Sequence, residues 1–168
     1  PPEPVTMSVQ QQAKALETTL ANARSRLHAA QDQRGAFCGE LSSSALSTAT
    51  AAMALAMAND PRMHQQARAG HAWLCANQNA DGGWGDTVES PSNISTTLLA
   101  WSSLNYADRD DPSVQTSVER ATTWLQKDTG DLSPAALADT IVKRYGQDRT
   151  FSVPILTVCA VAGRLGEQ

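Results

Sequence analysis

The chain has 168 residues, of which 41% are hydrophobic and only 5% aromatic, and its formal net charge is -4. That length fits one domain with a core of its own, and a scattered, slightly acidic charge excludes the electrostatic footprint of a nucleic-acid or anionic-lipid binder. The three cysteines, Cys38, Cys75 and Cys159, are far apart and show no metal-ligand spacing; an odd number of isolated thiols fits small buried residues in a reducing compartment, not a disulfide framework.

In chain order, residues 1–8 read as a loose proline-rich tail, without the charged and apolar regions of a signal peptide. Val9, Ala13, Leu16, Leu20, Ala23, Leu27 and Ala30 then mark one continuous apolar face of a first helix, which ends before Gly35. A second helix starts within Ser42–Ser47 and ends near Ala58; beyond its serines it is apolar all round, the pattern of an interior helix. Asp60-Pro61 reads as an N-cap followed by a proline in the first helical position. It opens a third helix with Met63, Ala67, Gly70 and Leu74 on one face. Asn93 to Tyr106 forms a fourth, with Ile94, Leu98, Trp101 and Leu104 inward. Asp111-Pro112 opens a fifth, and Ser133-Pro134 a sixth that reaches about Arg144. The seventh runs from about Ser152 to Leu165, with Pro154 in its first turn. No stretch alternates with the period of a strand. The longest apolar runs, Ala51–Ala58 and Val153–Gly163, fall short of the roughly 18 residues a membrane span needs. The expectation is an all-α chain of about seven helices.

The third helix runs into Gly70-His71-Ala72-Trp73-Leu74, then Gln78, Gly82 and Trp84. Weaker copies lie on either side. Ala23 and Leu27 lead to Gln31, Gly35 and Phe37. Ala121, Trp124 and Leu125 lead to Thr129, with no glycine-aromatic pair after it. Ser47-Thr48-Ala49-Thr50 and Ser95-Thr96-Thr97-Leu98 match after the first two turns. A displacement of about fifty residues is a helical-hairpin repeat. The residue types suggest a joint: a small residue for close helix approach, a glutamine for backbone groups left open at the helix end, glycines for the turn, and an aromatic packed back over it. The repeats span about 9–58, 60–107 and 112–165 of a single domain over 9–166.

Gly-x-x-Trp-Leu-x-x-x-Gln-x-x-x-Gly-x-Trp, as Gly70 to Trp84 spells it, resembles the QW motif of the terpenoid cyclase superfamily, although Ala69 stands where a basic residue is usual. Gly39-Glu40-Leu41-Ser42-Ser43-Ser44-Ala45, Asp81-Gly82-Gly83-Trp84-Gly85-Asp86-Thr87 and Arg149-Thr150-Phe151-Ser152-Val153-Pro154-Ile155-Leu156 are similar to segments of squalene–hopene cyclases. The resemblance covers about Leu16 to Gly166 and only the N-terminal portion of such enzymes. It implies a fragment of an α/α-toroid, within an isomerase or lyase that is inactive as this piece alone. The piece would shape the cavity for a linear isoprenoid without supplying the catalytic acid. The partner would be the remainder of the cyclase or a second subunit. A complete chain would instead be a non-catalytic module binding a prenyl lipid or a second cyclase-like chain, and would oligomerise through its exposed edge. Such proteins are cytoplasmic, with peripheral membrane contact within their range.

Class II cyclases use an Asp-x-Asp-Asp acid, and such an acid must be buried and kept protonated. Asp108-Arg109-Asp110-Asp111 spells that motif, but its place between helices predicts a solvated loop, with Asp111 as a cap and Arg109 keeping the carboxylates ionised. No catalytic residue is therefore assigned. His28, His64 and His71 lack partner spacing and read as structural. Asp81, Asp86 and Glu89 read as turn and helix caps, without the spacing of a calcium loop. Asn93-Ile94-Ser95 matches a glycosylation sequon, with Asn93 better used as a cap. No metal, no cofactor and no Ser/His/Asp or Cys/His nucleophile is expected. The related prenyltransferase β-subunits are disfavoured for want of a zinc-binding set.

Overall fold

The computed structural model describes residues 8–37, 39, 41–58 and 60–166. The tail before Ser8, Cys38, and Glu40 of the Gly39–Ala45 string lie outside the described residues. The described residues are all-α: α1 Val9–Ala29, α2 Ala45–Met57, α3 Pro61–Ala76, α4 Ile94–Ser103, α5 Pro112–Thr129, α6 Pro134–Tyr145 and α7 Arg149–Val161, with one 3-10 turn at Leu104–Tyr106 after α4. They contain no strand, only an isolated bridge between Gln31 and Phe37. An all-helical chain of hairpins is consistent with a fragment of an α/α-toroid.

The chain divides into two units, Pro1–Leu41 and Ser42–Gln168. In the first, α1 begins with a capping box, in which Ser8 accepts from the Gln11 N–H and the Gln11 side chain accepts from the Ser8 N–H. The apolar stripe expected for this helix is present, yet no residue of α1 is buried, and Val9 and Leu16 are 81% and 70% exposed. One helix and one turn cannot enclose an apolar face.

The second unit holds the core. The capping residues read from the sequence form its helix starts. Ser44, Asp60, Asn93, Asp111 and Ser133 each accept a backbone N–H, and proline follows three of them. The seventh helix differs. Asp148 caps it, so α7 starts at Arg149 and Pro154 lies inside the helix, not in its first turn. The carboxylate of Asp148 takes the Thr150 N–H at 2.9 Å, and that starting signal prevails over the serine at 152. Pro154 has no N–H to offer the Thr150 carbonyl.

Within this unit α2, α4 and α7 form one row, α4 packing against both neighbours, while α3 and α5 pack side by side in a second row. α3 also lies against α2, α5 against α4, and α6 against α7 and α5. The interior helix is α4: all ten of its residues are buried. α2, which is apolar all round, buries only Ala45, Ala49, Ala52 and Met53, because its neighbours α3 and α4 cover one side. Its exposed residues are Ser47, Ala51, Ala54 and Met57, mostly small side chains. Leu74, Leu98, Leu125, Leu137 and Ile141 are all fully enclosed; each contributes roughly 1.5–3 kcal/mol relative to an exposed side chain.

The polar residues of α4 are matched. Ser95 meets the Tyr145 hydroxyl at 2.8 Å and Ser103 meets His71 Nε2 at 3.2 Å. Thr96 donates to Asp86, Thr97 donates to the Trp84 carbonyl, and Ser102 donates to Cys159 Sγ. A buried hydroxyl without a partner would cost about 1–3 kcal/mol, so these pairings fix α4 in one rotational setting. The same pairings connect it to the turn that carries the motif.

Candidate functional site

The Gly70–Trp84 stretch is a helix end, a turn and an anchor. Gly70 faces α2 so closely that a Cβ there would meet the Cβ of Ala52 at 2.9 Å. Leu74 is fully buried one turn on, and Trp73 packs against the core from its edge. Beyond α3, Gln78 Nε2 donates to the Gly82 carbonyl at 2.8 Å and to the Ser117 carbonyl of α5 at 2.9 Å. The turn closes through Gly82 N–H to Asn79 O and Asn79 N–H to Gly83 O. Gly82 has φ +97, and a Cβ on it would lie 2.8 Å from the Arg120 carbonyl; only glycine meets both demands. Trp84 is 1% exposed and its indole N–H returns to the Leu74 carbonyl at 2.9 Å, tying the turn to the helix it follows. Its backbone N–H reaches Thr97 Oγ1 and its carbonyl accepts from Asn93, at the start of α4.

The first copy repeats this geometry on its own unit. Gln31 Nε2 donates to the Gly35 carbonyl at 3.2 Å, Gly35 N–H to Asp32 O, and Asp32 N–H to Ala36 O, with Gly35 at φ +77. Ala23 and Leu27 sit on exposed α1, and Phe37 is 55% exposed. The third copy keeps Ala121 and Leu125 fully buried, but ends differently. Gly130, at φ +76, terminates α5, and Thr129 donates to the Leu125 and Asp131 carbonyls where a glutamine would stand.

Three contacts across the repeats escaped the sequence reading. Trp124 of the third copy donates its indole N–H to Asp81 Oδ2 at 3.0 Å. Arg120 Nη2 donates to the Asn79 and Ala80 carbonyls at 2.7 and 3.1 Å. Ser117 receives the Gln78 bond above. All three come from one side of α5, so the turn of one repeat is held by the helix of the next. Spacings of about forty residues between single polar groups carry no local signature.

The acidic residues of this turn are occupied. Asp81 takes the Ser92 hydroxyl, the Gly83 N–H and Trp124; partial burial pushes its carboxyl up, and these three hydrogen bonds together bring it below the usual range. Asp86 accepts from Thr96 at 2.6 Å and Asn93 at 2.9 Å, which lower it in that order, with the more distant Arg144 charge in support. The described residues contain no group of three His, Cys, Asp or Glu able to hold a metal ion.

The Asp108–Asp111 string lies in an exposed connection. Asp111 caps α5 and accepts the Ser113 hydroxyl and N–H at 2.7 and 2.8 Å, which lower its pKa. Asp108 accepts the Asp110 N–H. Arg109 does not pair with these carboxylates; it donates to Asn105 Oδ1 at 2.8 Å. The ionisation of Asp111 is thus due to capping and not to Arg109. A carboxyl held ionised in water is the reverse of a proton donor for an alkene.

His71 is the one buried histidine, 3% exposed, and borders a cleft of about 340 Å3 with His64, Arg68, Tyr106 and Asp108. Burial pushes its pKa down and the Ser103 contact opposes this. His64 is taken by the Ala58 carbonyl and Tyr106 donates to the Val161 carbonyl.

In the second unit α-helical hairpins pack in two rows, with the glutamine- and glycine-bearing turn of one repeat held by the helix of the next. Residues 20–136 match the squalene-hopene cyclase N-terminal domain family, and the chain belongs to that family. No curated protein and no solved structure matches it. Among the described residues no helix is long and apolar enough to cross a membrane.

Proposed function

We propose that the chain is the N-terminal part of a class II terpenoid cyclase of the squalene–hopene type. It shapes one wall of the cavity for a linear isoprenoid, while the remainder of the cyclase supplies the acid. Gly70, Trp73, Leu74, Gln78, Gly82 and Trp84 act in this reading as a QW motif, a stiff joint between consecutive helices. The observation that carries the reading is the family match combined with the fate of the Asp-x-Asp-Asp string, whose last carboxylate is spent on capping α5.

The test is complementation. The chain, co-expressed with the remaining portion of a squalene–hopene cyclase that lacks its own N-terminal domain, should restore conversion of squalene to cyclic product. The isolated chain should show none. Asp110→Asn with Asp111→Asn should leave the restored turnover within about twofold, since neither residue touches the reacting atoms. Turnover by the chain alone, or its loss in the double variant with unchanged folding, would refute the assignment.

A further inference from the structure

A second cleft, of about 360 Å3, opens on the other side of the 3-10 turn, between that turn, α5 and the segment after α7. Its volume falls within the ~300–1,000 Å3 of small-molecule sites. Leu104, Val114 and Val118 give it apolar walls, and Arg109, Arg164 and Glu119 are its charged lining residues.

Arg164 is unusual. Its guanidinium lies 3.6 Å from the centre of the Trp101 ring, and Nη2 donates to the Trp101 carbonyl at 3.0 Å. Trp101 is itself fixed by a bond from its indole N–H to Thr122. Nε of Arg164 is fully enclosed and has no hydrogen-bond partner in the protein. No carboxylate lies within ion-pair distance of either arginine; among the described residues the only ion pairs are Arg34–Asp32 and Arg62–Asp60. Burial, and then the like charge of Arg109, push Arg164 down to about 10, with only Cys159 acting in the opposite sense. A buried cation normally has a counter-charge, because removing it from water is costly. Here the first charged group to act on it, Arg109, has the same sign.

From this geometry we infer that the cleft binds a small amphiphile with a carboxylate or phosphate head. The head lies between Arg164 and Arg109, and its apolar chain lies along Leu104, Val114 and Val118. The rigid fork of a guanidinium suits either oxyanion, and the stacking on Trp101 holds that fork in place before the ligand arrives. The site is independent of the cyclase reading, since an isoprenoid hydrocarbon has no anionic group.

Titration calorimetry of the whole chain at low ionic strength tests it, with octanoate, octyl phosphate, octanol and inorganic phosphate as probes. Octanoate and octyl phosphate should bind saturably. Octanol, and phosphate without its chain, should each bind on the order of tenfold more weakly or not at all. Arg109→Gln, at an exposed residue whose side chain bonds only to Asn105, should weaken octanoate roughly tenfold without affecting the fold, Arg164→Lys should weaken it because the fork is lost, and Glu119→Gln should not weaken it. Co-sedimentation with phosphatidylglycerol vesicles separates the two sources of such a head. Arginine-dependent pelleting identifies a lipid head group; binding confined to the soluble probes identifies a free acid or phosphate monoester. Octanol binding as tightly as octanoate, equal affinity in Arg109→Gln and wild type, or no binding in either arm would overturn the proposal.

Discussion

At the scale of single residues the turn glycines are not equivalent. Gly82 and Gly130 both have positive φ, but a Cβ on Gly82 would strike the Arg120 carbonyl at 2.8 Å, whereas one on Gly130 meets nothing within 4 Å. Gly130→Ala should therefore cost only the left-handed backbone penalty, about 1–2 kcal/mol, and Gly82→Ala about 2–4 kcal/mol because α5 must also shift. Urea midpoints rank the two, and equal losses would contradict the close approach. His71 supplies a second prediction. Its folded pKa is depressed, so the native state resists protonation more than the unfolded chain does. Its stabilising share is complete above the unfolded value near 6.5 and is lost as pH falls through the folded value. The aspartates with resolved shifts are all lowered from 3.8 and titrate below this window. The urea midpoint of the wild type should fall between pH 7.5 and about pH 5 more steeply than that of His71→Gln; parallel profiles would mean that burial of His71 does not matter.

At the scale of elements, α5 clamps the Gly70–Trp84 turn through Ser117, Arg120 and Trp124. Arg120→Met removes both bonds to Asn79 and Ala80, so the Gly82 amide, which closes the turn, should exchange at least several-fold faster while amides in the middle of α4 remain as protected as before. Trp124→Phe should cost about 1 kcal/mol through the lost Asp81 bond, and less in an Asp81→Asn background, where the acceptor is uncharged and that bond is already weakened. The elements themselves were legible from the chain because their signals are local: Asp60-Pro61, Asp111-Pro112 and Ser133-Pro134 each open a helix. The spacing from Gln31 to Gly35 and from Gln78 to Gly82 gives the same hydrogen bond twice. The start of α7 was misplaced because Asp148 and Ser152 carry competing cap signals and Pro154 favours the later one. The role of Arg120 was invisible, since nothing near it in sequence marks which carbonyls it meets. The identity of the interior helix was obscured by composition: α2 is more uniformly apolar, yet α4, with five serines and threonines buried, occupies the centre. Hydropathy measures transfer from water, and those hydroxyls are not transferred unpaired.

At the scale of the molecule the chain divides into Pro1–Leu41 and Ser42–Gln168, and among the described residues the buried core lies in the second unit. Among the described residues the buried core cluster runs from Ala45 to Cys159. All four tryptophans, Trp73, Trp84, Trp101 and Trp124, also belong to the second unit, so intrinsic tryptophan fluorescence reports on it alone. A chain truncated to residues 42–168 should unfold in urea as one cooperative transition, with a midpoint and slope matching the fluorescence transition of the whole chain. The slope scales with the surface exposed on unfolding, and that surface belongs to the second unit. Far-ultraviolet dichroism adds the counterpart. It sees α1 as well, and 21 helical residues with no buried side chain have little but their own backbone to hold them. In the whole chain the dichroism signal should therefore begin to fall at lower urea than the fluorescence, and in the truncated chain the two should coincide. Coincident probes in the whole chain would show that α1 draws stability from packing beyond its own unit. A truncated chain that loses the cooperative fluorescence transition would show that the second unit is not self-sufficient.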